Sequence, residues 1–353
     1  MKKRIIIISF INALIFISCS GSEHLSNSIE PVVFPPAPDE PRIQYLTSFS
    51  TSTDFTGEQS AITSFITGEE EQLPILKPYG LSVGINKIYV CDTQLGGLEI
   101  MDLEDDSFGY FIPEGRGKLK QPINCFVDRA GFLYVADVQR RQVVIFNSEL
   151  DYIGEIGDST ILKPTDVFVT EKQIFINDIN KHSVDVYDRF TRKYIKSIPS
   201  PSDDKNKLFS PANIYVFNNN IYISDMGDSK VKVYDLDGNY IRTVGTIGNT
   251  PGKFSRPKGI ALDKEENLYV VDAGFENVQI FNKEGNLLMY FGGSYTKPGD
   301  MWLPAKVVID YKNLNYFTDF VDPSFNLKYL IFVTNQYGPD KVNVYGFIST
   351  KNN

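Results

Sequence analysis

Six prolines open six similar phrases along the chain: Pro78 in KPYGLSV, Pro122 in QPINCFVD, Pro164 in KPTDVFV, Pro211 in SPANIYV, Pro257 in RPKGIALD and Pro304 in LPAKVVID. Their successive spacings are 44, 42, 47, 46 and 47 residues. A period in this range marks a repeat architecture, in which each unit buries its apolar faces only against its neighbours. Each proline introduces an alternating apolar run, as proline does at the first residue of a strand, where a fixed φ and a missing N–H cost nothing. The chain has 353 residues, 42% of them hydrophobic, enough to bury a sizeable core.

Within each unit the same grammar follows. A second run ends in Asp: KIYVCD, FLYVAD, QIFIND, NIYISD and NLYVVD. After a short gap comes a third: LEIMD, QVVIFN, VDVYD, VKVYD and VQIFN. Turn signals such as DLDGNY and NKEGNL lead to a fourth, as in YIGEIG, YIKSIP, YIRTVG and LLMYFG. Four short antiparallel strands per unit predict an all-β fold, a six-bladed β-propeller. Unit six ends near Ile348 with its third strand, while an orphan alternating run, RIQYLTSFS, stands upstream at 42–50. The expectation is that this N-terminal strand closes the last blade, which removes the long open edge. The expected propeller domain spans 42–349, with 350–353 as a tail.

The N-terminus reads differently. MKKR followed by an apolar run from Ile5 to Ile17 has the pattern of a signal peptide over 1–18. The run is too short to span a bilayer comfortably. The segment FISCS resembles a bacterial lipobox, with Phe16 where that pattern prefers Leu. The resemblance implies a diacylated Cys19, and an uncleaved anchor or an ordinary secretory signal is the alternative. Residues 19–41, rich in Ser, Pro and acids, are expected to be a tether. The lipobox resemblance implies an exported, lipid-anchored envelope protein, and Ser20, where that family's sorting rules give Asp to inner-membrane retention, is compatible with the outer rather than the inner membrane.

The segment GTIGNTPGKFSRPKGIALDKEENLYVVDAGFENVQIFNKEGN, Gly245 to Asn286, closely resembles an NHL repeat: Pro-Gly-x-Phe entry, Pro-x-Gly-Ile start, Leu-Tyr-Val-x-Asp second strand, Val-Gln-x-Phe third strand. The resemblance extends over about Leu76 to Phe347 and implies a six-bladed propeller. Units three and six depart furthest. Unit three lacks the usual glycines. Unit six carries the insert YKNLNYFTDFVDPSFNLK and has Asn335 where the other units have Asp.

The repeated Asp92, Asp137, Asp178, Asp225 and Asp272, with Asn335, sit at strand ends before turns, where a carboxylate accepts backbone N–H bonds. One per blade, they read as structural turn residues rather than as a metal ring. Zinc needs three or four protein ligands. The chain has two histidines, His24 in the tether and His182, so the zinc chemistry of NHL-type peptide-amidating lyases is not expected. Gluconolactonase-like propellers hold calcium in the central channel, but their ligands find no counterpart motif here. No metal or other cofactor is expected, with calcium as the exception to test. Cys91 and Cys125 lie in strands of adjacent blades and read as buried thiols, with a disulfide as the alternative. A formal charge of −9 argues against nucleic acid, although Lys77, Lys163 and Arg256 precede three of the strand-opening prolines.

The resulting expectation is a non-catalytic, monomeric scaffold that binds an envelope protein. The C-terminal phrase YLIFVTNQYGPDKVNVYGF resembles that of bacterial envelope propeller lipoproteins, some found alongside multihaem cytochromes, and this resemblance implies an envelope or electron-transfer complex. The alternative is a calcium-dependent, lactonase-like hydrolase. Trp302, Tyr311, Tyr316, Phe317, Phe320 and Phe325 are the candidate partner-binding aromatics, because such residues dominate docking energetics. A second reading makes them a satellite core at the propeller's edge.

Overall fold

The computed structural model describes residues 30–57, 71–157, 163–199 and 206–351. The expected signal peptide and Cys19 lie outside the described residues. The chain divides into Met1–Glu30 and Pro31–Asn353, and the strands of the described residues lie in the second unit.

Five of the six expected units are four-stranded antiparallel sheets with their strands in sequence order, and the sixth is a five-stranded sheet. Blade one is typical: Pro78–Val83, Lys87–Asp92, Gly97–Asp102 and Ser107–Phe111. The first strands of the other five begin at Pro122, Pro164, Pro211, Pro257 and Pro304, so the prolines mark strand starts as the spacing predicts. These first strands are innermost. Successive ones touch around a ring, and that of blade six touches that of blade one.

Blade six is assembled from both ends of the chain. Pro304–Asp310, Phe325–Asn335 and Val342–Thr350 are joined by the N-terminal strand Ile43–Phe49, with Ile43 opposite Phe347 and Tyr45 opposite Tyr345. The closing strand is therefore where the sequence places it. Beyond it lies a fifth strand, Val33–Phe34, paired with Ile43 and Gln44. The sequence reading assigned 19–41 to a tether, yet the folded body begins at Pro31. Phe34 explains the difference: its ring contacts Phe291 and Tyr345, with centroids 6.2 and 6.4 Å apart.

Both faces of every blade are covered by a neighbour, so the core is a series of layers between blades. Tyr134, Ile145, Val167 and Ile176 pack between blades two and three. Tyr269, Phe291, Ile331 and Tyr345 do so between five and six. Cys91 and Cys125 are buried free thiols in the layer between blades one and two. Burial first, and the neighbouring Cys125, hold the Cys91 thiol well above its usual range.

The closing strand contributes to this packing directly. Ile43 is fully buried against blade five. Ile43→Ala is expected to lower the unfolding free energy by about 2–5 kcal/mol, read from urea denaturation.

Candidate functional site

All six first strands share an irregularity. Their pairing with the second strand shifts register within two or three residues of the proline. Such bulges re-aim side chains. Here they act on the two residues after each proline. In ring order these pairs are Tyr79–Gly80, Ile123–Asn124, Thr165–Asp166, Ala212–Asn213, Lys258–Gly259 and Ala305–Lys306.

The second residues of four pairs, Asn124, Asp166, Asn213 and Lys306, form a polar layer across the channel. Lys306 of blade six reaches the opposite side: its Nζ lies 2.8 Å from Asp166 Oδ2 of blade three and 2.9 Å from Asn213 Oδ1 of blade four. Asp166 Oδ2 also accepts the Ile214 N–H at 3.0 Å. Asn124 Nδ2 donates to the Thr165 carbonyl at 2.8 Å. The glycines allow the strands to close up. A Cβ on Gly80 would stand 2.4 Å from Asn124 Cα, and one on Gly259 2.6 Å from Lys306 Cα. Asp166 is fully buried, and that burial raises its carboxyl pKa against the opposing pull of Lys306 and the Ile214 and Val167 amides.

Below this layer, at the end where the first and second strands turn, the channel widens into a cavity of about 640 Å³ lined by Lys306, Phe126, Phe168 and Tyr215. Phe168 packs against both Phe126 and Tyr215, with centroids 4.7 and 5.1 Å apart. At the rim, Arg189 Nη2 pairs with Asp128 Oδ2 at 2.6 Å. Burial and the Asp263 charge push the Tyr215 phenol up to about 12.

Above the layer, at the proline end, Lys258 lies with its Nζ 5.0 Å over the Tyr79 ring centroid. Burial, then the Arg256 and Lys77 charges, pull its ammonium down to about 8. Lys77 sits 5.0 Å over the Tyr337 ring. Nearby, Trp302 is 50% and Tyr337 46% exposed, and Tyr295 stacks on Trp302 at an interplanar angle of 24°. The backbone fixes this patch. Trp302 N–H donates to Asn335 Oδ1, and Tyr337 N–H to the Trp302 carbonyl.

The repeated acids stay at strand ends, one per blade. Asp272 accepts the N–H groups of Ser255, Arg256, Gly274 and Phe275 at 2.7, 2.9, 2.8 and 3.3 Å. Asp92 holds four amides in the same way, those of Leu76, Lys77, Gln94 and Leu95. Asp137, Asp178 and Asp225 also accept amides that precede their blades' prolines. Asn335 accepts the Trp302 N–H and, unlike a carboxylate, also donates, its amide going to the Asp340 carbonyl. Among the described residues no three His, Cys, Asp or Glu gather where a metal ion could sit.

The aromatic candidates separate. Trp302 and Phe320 are exposed. Phe317 is 1% exposed, packed on Phe49 and Phe332, and carries no docking surface. Tyr316 is half-buried against the same core, and Tyr311 packs on Tyr329, 4.9 Å between centroids. Phe325 is half-buried in the second strand of blade six. The insert is therefore largely a satellite core: its Leu314–Phe320 3₁₀ turn brings Phe317 inward. Sequence reasoning missed the channel layer, although the two residues after each proline were its signal.

A family model described as a 6-bladed beta-propeller matches residues 171–345. The chain is a six-bladed β-propeller. Among solved structures, a protein of unknown function from Bacteroides thetaiotaomicron VPI-5482 is similar at 13% identity with a TM-score of 0.62, the match covering 87% of this chain and 76% of that one. Virginiamycin B lyase from Staphylococcus aureus matches at 12% identity and a TM-score of 0.52, over 76% and 80%. Kuenenia stuttgartiensis hydrazine synthase matches at 12% and 0.52, over 76% and 82%. At these identities the likeness establishes the propeller fold alone. No curated protein matches the sequence.

The two channel lysines of the propeller should respond oppositely to the same substitution. Lys306→Met strands the buried Asp166 carboxylate and is expected to cost about 3–5 kcal/mol. Lys258→Met removes a buried cation that has no anionic partner. A lysine of the unfolded chain holds its proton to near 10.5, whereas folded Lys258 loses its own near 8. The wild type therefore gains stability as pH rises between those values, and below pH 8 Lys258→Met is expected to be more stable by about 3 kcal/mol. That advantage should vanish above pH 10.5. Urea denaturation of both variants at pH 7 and of Lys258→Met across pH 7–11 checks this.

Proposed function

We propose that this chain is a lipid-anchored, non-catalytic binding propeller of NHL type, which docks a partner protein at the bacterial envelope through its proline-end face. The observation that carries the reading is the Tyr295–Trp302–Tyr337 patch, in which Trp302 and Tyr337 are exposed yet held by backbone hydrogen bonds and half-buried Tyr295 stacks on Trp302. Rigid aromatic side chains that lose little entropy on docking are the usual anchors of protein interfaces. Cations border the patch: Lys77 covers Tyr337, and Arg256 opens onto the same end. On a chain of formal charge −9 this supports a partner whose contact surface is acidic around an apolar centre. Such a partner fits an envelope or electron-transfer complex, with Cys19 as the lipid-bearing residue and the outer membrane as the site.

A calcium-dependent, lactonase-like hydrolase is the second reading, favoured by the ligand-sized cavity of about 640 Å³. Against it, Asp128, one of the two acids that line the cavity, is already paired with Arg189. Calcium titration with a lactone panel separates the two readings.

A photo-crosslinking residue placed at Trp302 or at Tyr337 in envelopes is expected to capture a discrete partner. One at Phe190, exposed on a turn at the opposite end, should capture none. Equal capture from both ends would sink the docking reading. Cys19→Ala is expected to abolish palmitate labelling and release the protein from membranes; retained labelling would rule out this anchor.

A further inference from the structure

Lys258 is a largely buried lysine whose ammonium reaches the channel mouth and meets no carboxylate among the described residues. The residue is 6% exposed, and among the described residues no carboxylate pairs with it and no acceptor takes its protons. The face of Tyr79 offers it a partial compensation. Its charged neighbours have the wrong sign: Arg256, exposed, and Lys77, half-buried, both act on it. Asp166, the acid in the layer below, is already held by Lys306 and by the Ile214 and Val167 amides. That layer has orphans of its own. Asn124 Oδ1 and Asn213 Nδ2 are buried with no protein partner.

Buried polar groups in folded proteins are nearly always partnered, and a buried charge left unpaired is costly. Three cations converging on one mouth of an acidic protein are a strained arrangement unless something negative joins them. We propose that the proline-end mouth of the channel binds a small oxyanion, a carboxylate or a phosphate, between Lys258, Arg256 and Lys77, with Tyr79 as its wall. Lys258 supplies a charge-assisted hydrogen bond, and Arg256 offers a planar fork that suits either oxyanion. The polar layer of Asp166, Asn213 and Lys306 separates this site from the cavity at the other end. The inference shares Lys77 and Arg256 with the docking reading, but its ligand is a small molecule and its test needs no partner.

The low position of the Lys258 ammonium gives the site a pH signature. The lysine loses its proton as pH passes about 8, so affinity should fall through that range. The groups facing Lys258 are Arg256 on its own strand end, Lys77 and Tyr79 from blade one, and the Asp166–Lys306 pair below.

The test is calorimetric titration of the full chain with potassium phosphate and with sodium succinate, each against potassium chloride at matched ionic strength, at pH 7 and pH 9.5. Saturable binding of at least one oxyanion at pH 7 is expected, weakened at pH 9.5. Lys258→Met should weaken it at least about tenfold. Arg256→Ala, at an exposed position where folding is not at stake, should weaken it as well. Binding of phosphate alone, of succinate alone or of both supports the site and identifies its ligand class. No saturable binding beyond chloride would overturn the proposal, as would binding that Lys258→Met leaves unchanged.

Discussion

Ring closure is the constraint on which this structure depends. A blade of four short strands has two apolar faces and cannot cover either by itself. Each face is covered because another blade follows, and the last gap is covered because Ile43–Phe49 returns to pair with Val342–Thr350. Without that strand, the third strand of blade six would present an open edge. Val33–Phe34 then caps the closing strand and brings the Phe34 ring against Phe291 and Tyr345. Both ends of the folded body are thus tied into one sheet.

Closure also creates the channel. Six inner strands drawn together at their proline ends leave room for some side chains and not others. Gly80 and Gly259 stand where neighbouring backbone approaches to within 3 Å of a would-be Cβ. Between them, Lys306 spans the channel to Asp166 and Asn213, so a residue of blade six is fixed by residues of blades three and four. Among the described residues Lys258, one layer above, has no such counterpart. The same side chain therefore has opposite consequences for stability at two nearby positions. The difference lies in the partner, since each carries a buried ammonium.

Much of the fold is legible in the chain. Proline at the head of each alternating run and Asp at the end of each second run are local features, and their structural consequences are local too. A proline begins a strand, and a carboxylate collects the amides on either side of a turn, as Asp272 does with four of them. The closing strand was legible because an alternating run with no partner had to find one. The aromatic insert was not. Tyr316 and Phe317 follow no period, so nothing local shows that a 3₁₀ turn directs Phe317 to Phe49 and Phe332, while Trp302 stays at the surface. Phe34, among prolines and acids, read as tether for the same reason: its pocket is built by residues some 260 and 310 positions away in the chain.

What the sequence determined by itself is the repeat: its period, its four strands, its turn residues and the missing strand that another part of the chain had to supply. These follow from alternation, from the fixed φ of proline and from the short reach of Asp. What only the tertiary structure decided is which residues meet across the ring. Asp166, Asn213 and Lys306 are one register position repeated in three blades, unremarkable singly. Closure brings Lys306 to within 3 Å of the other two and leaves Lys258 beside Arg256 and Lys77 with no carboxylate partner among the described residues. Local patterning cannot encode that outcome, because the energy of a buried charge is set by what surrounds it in space.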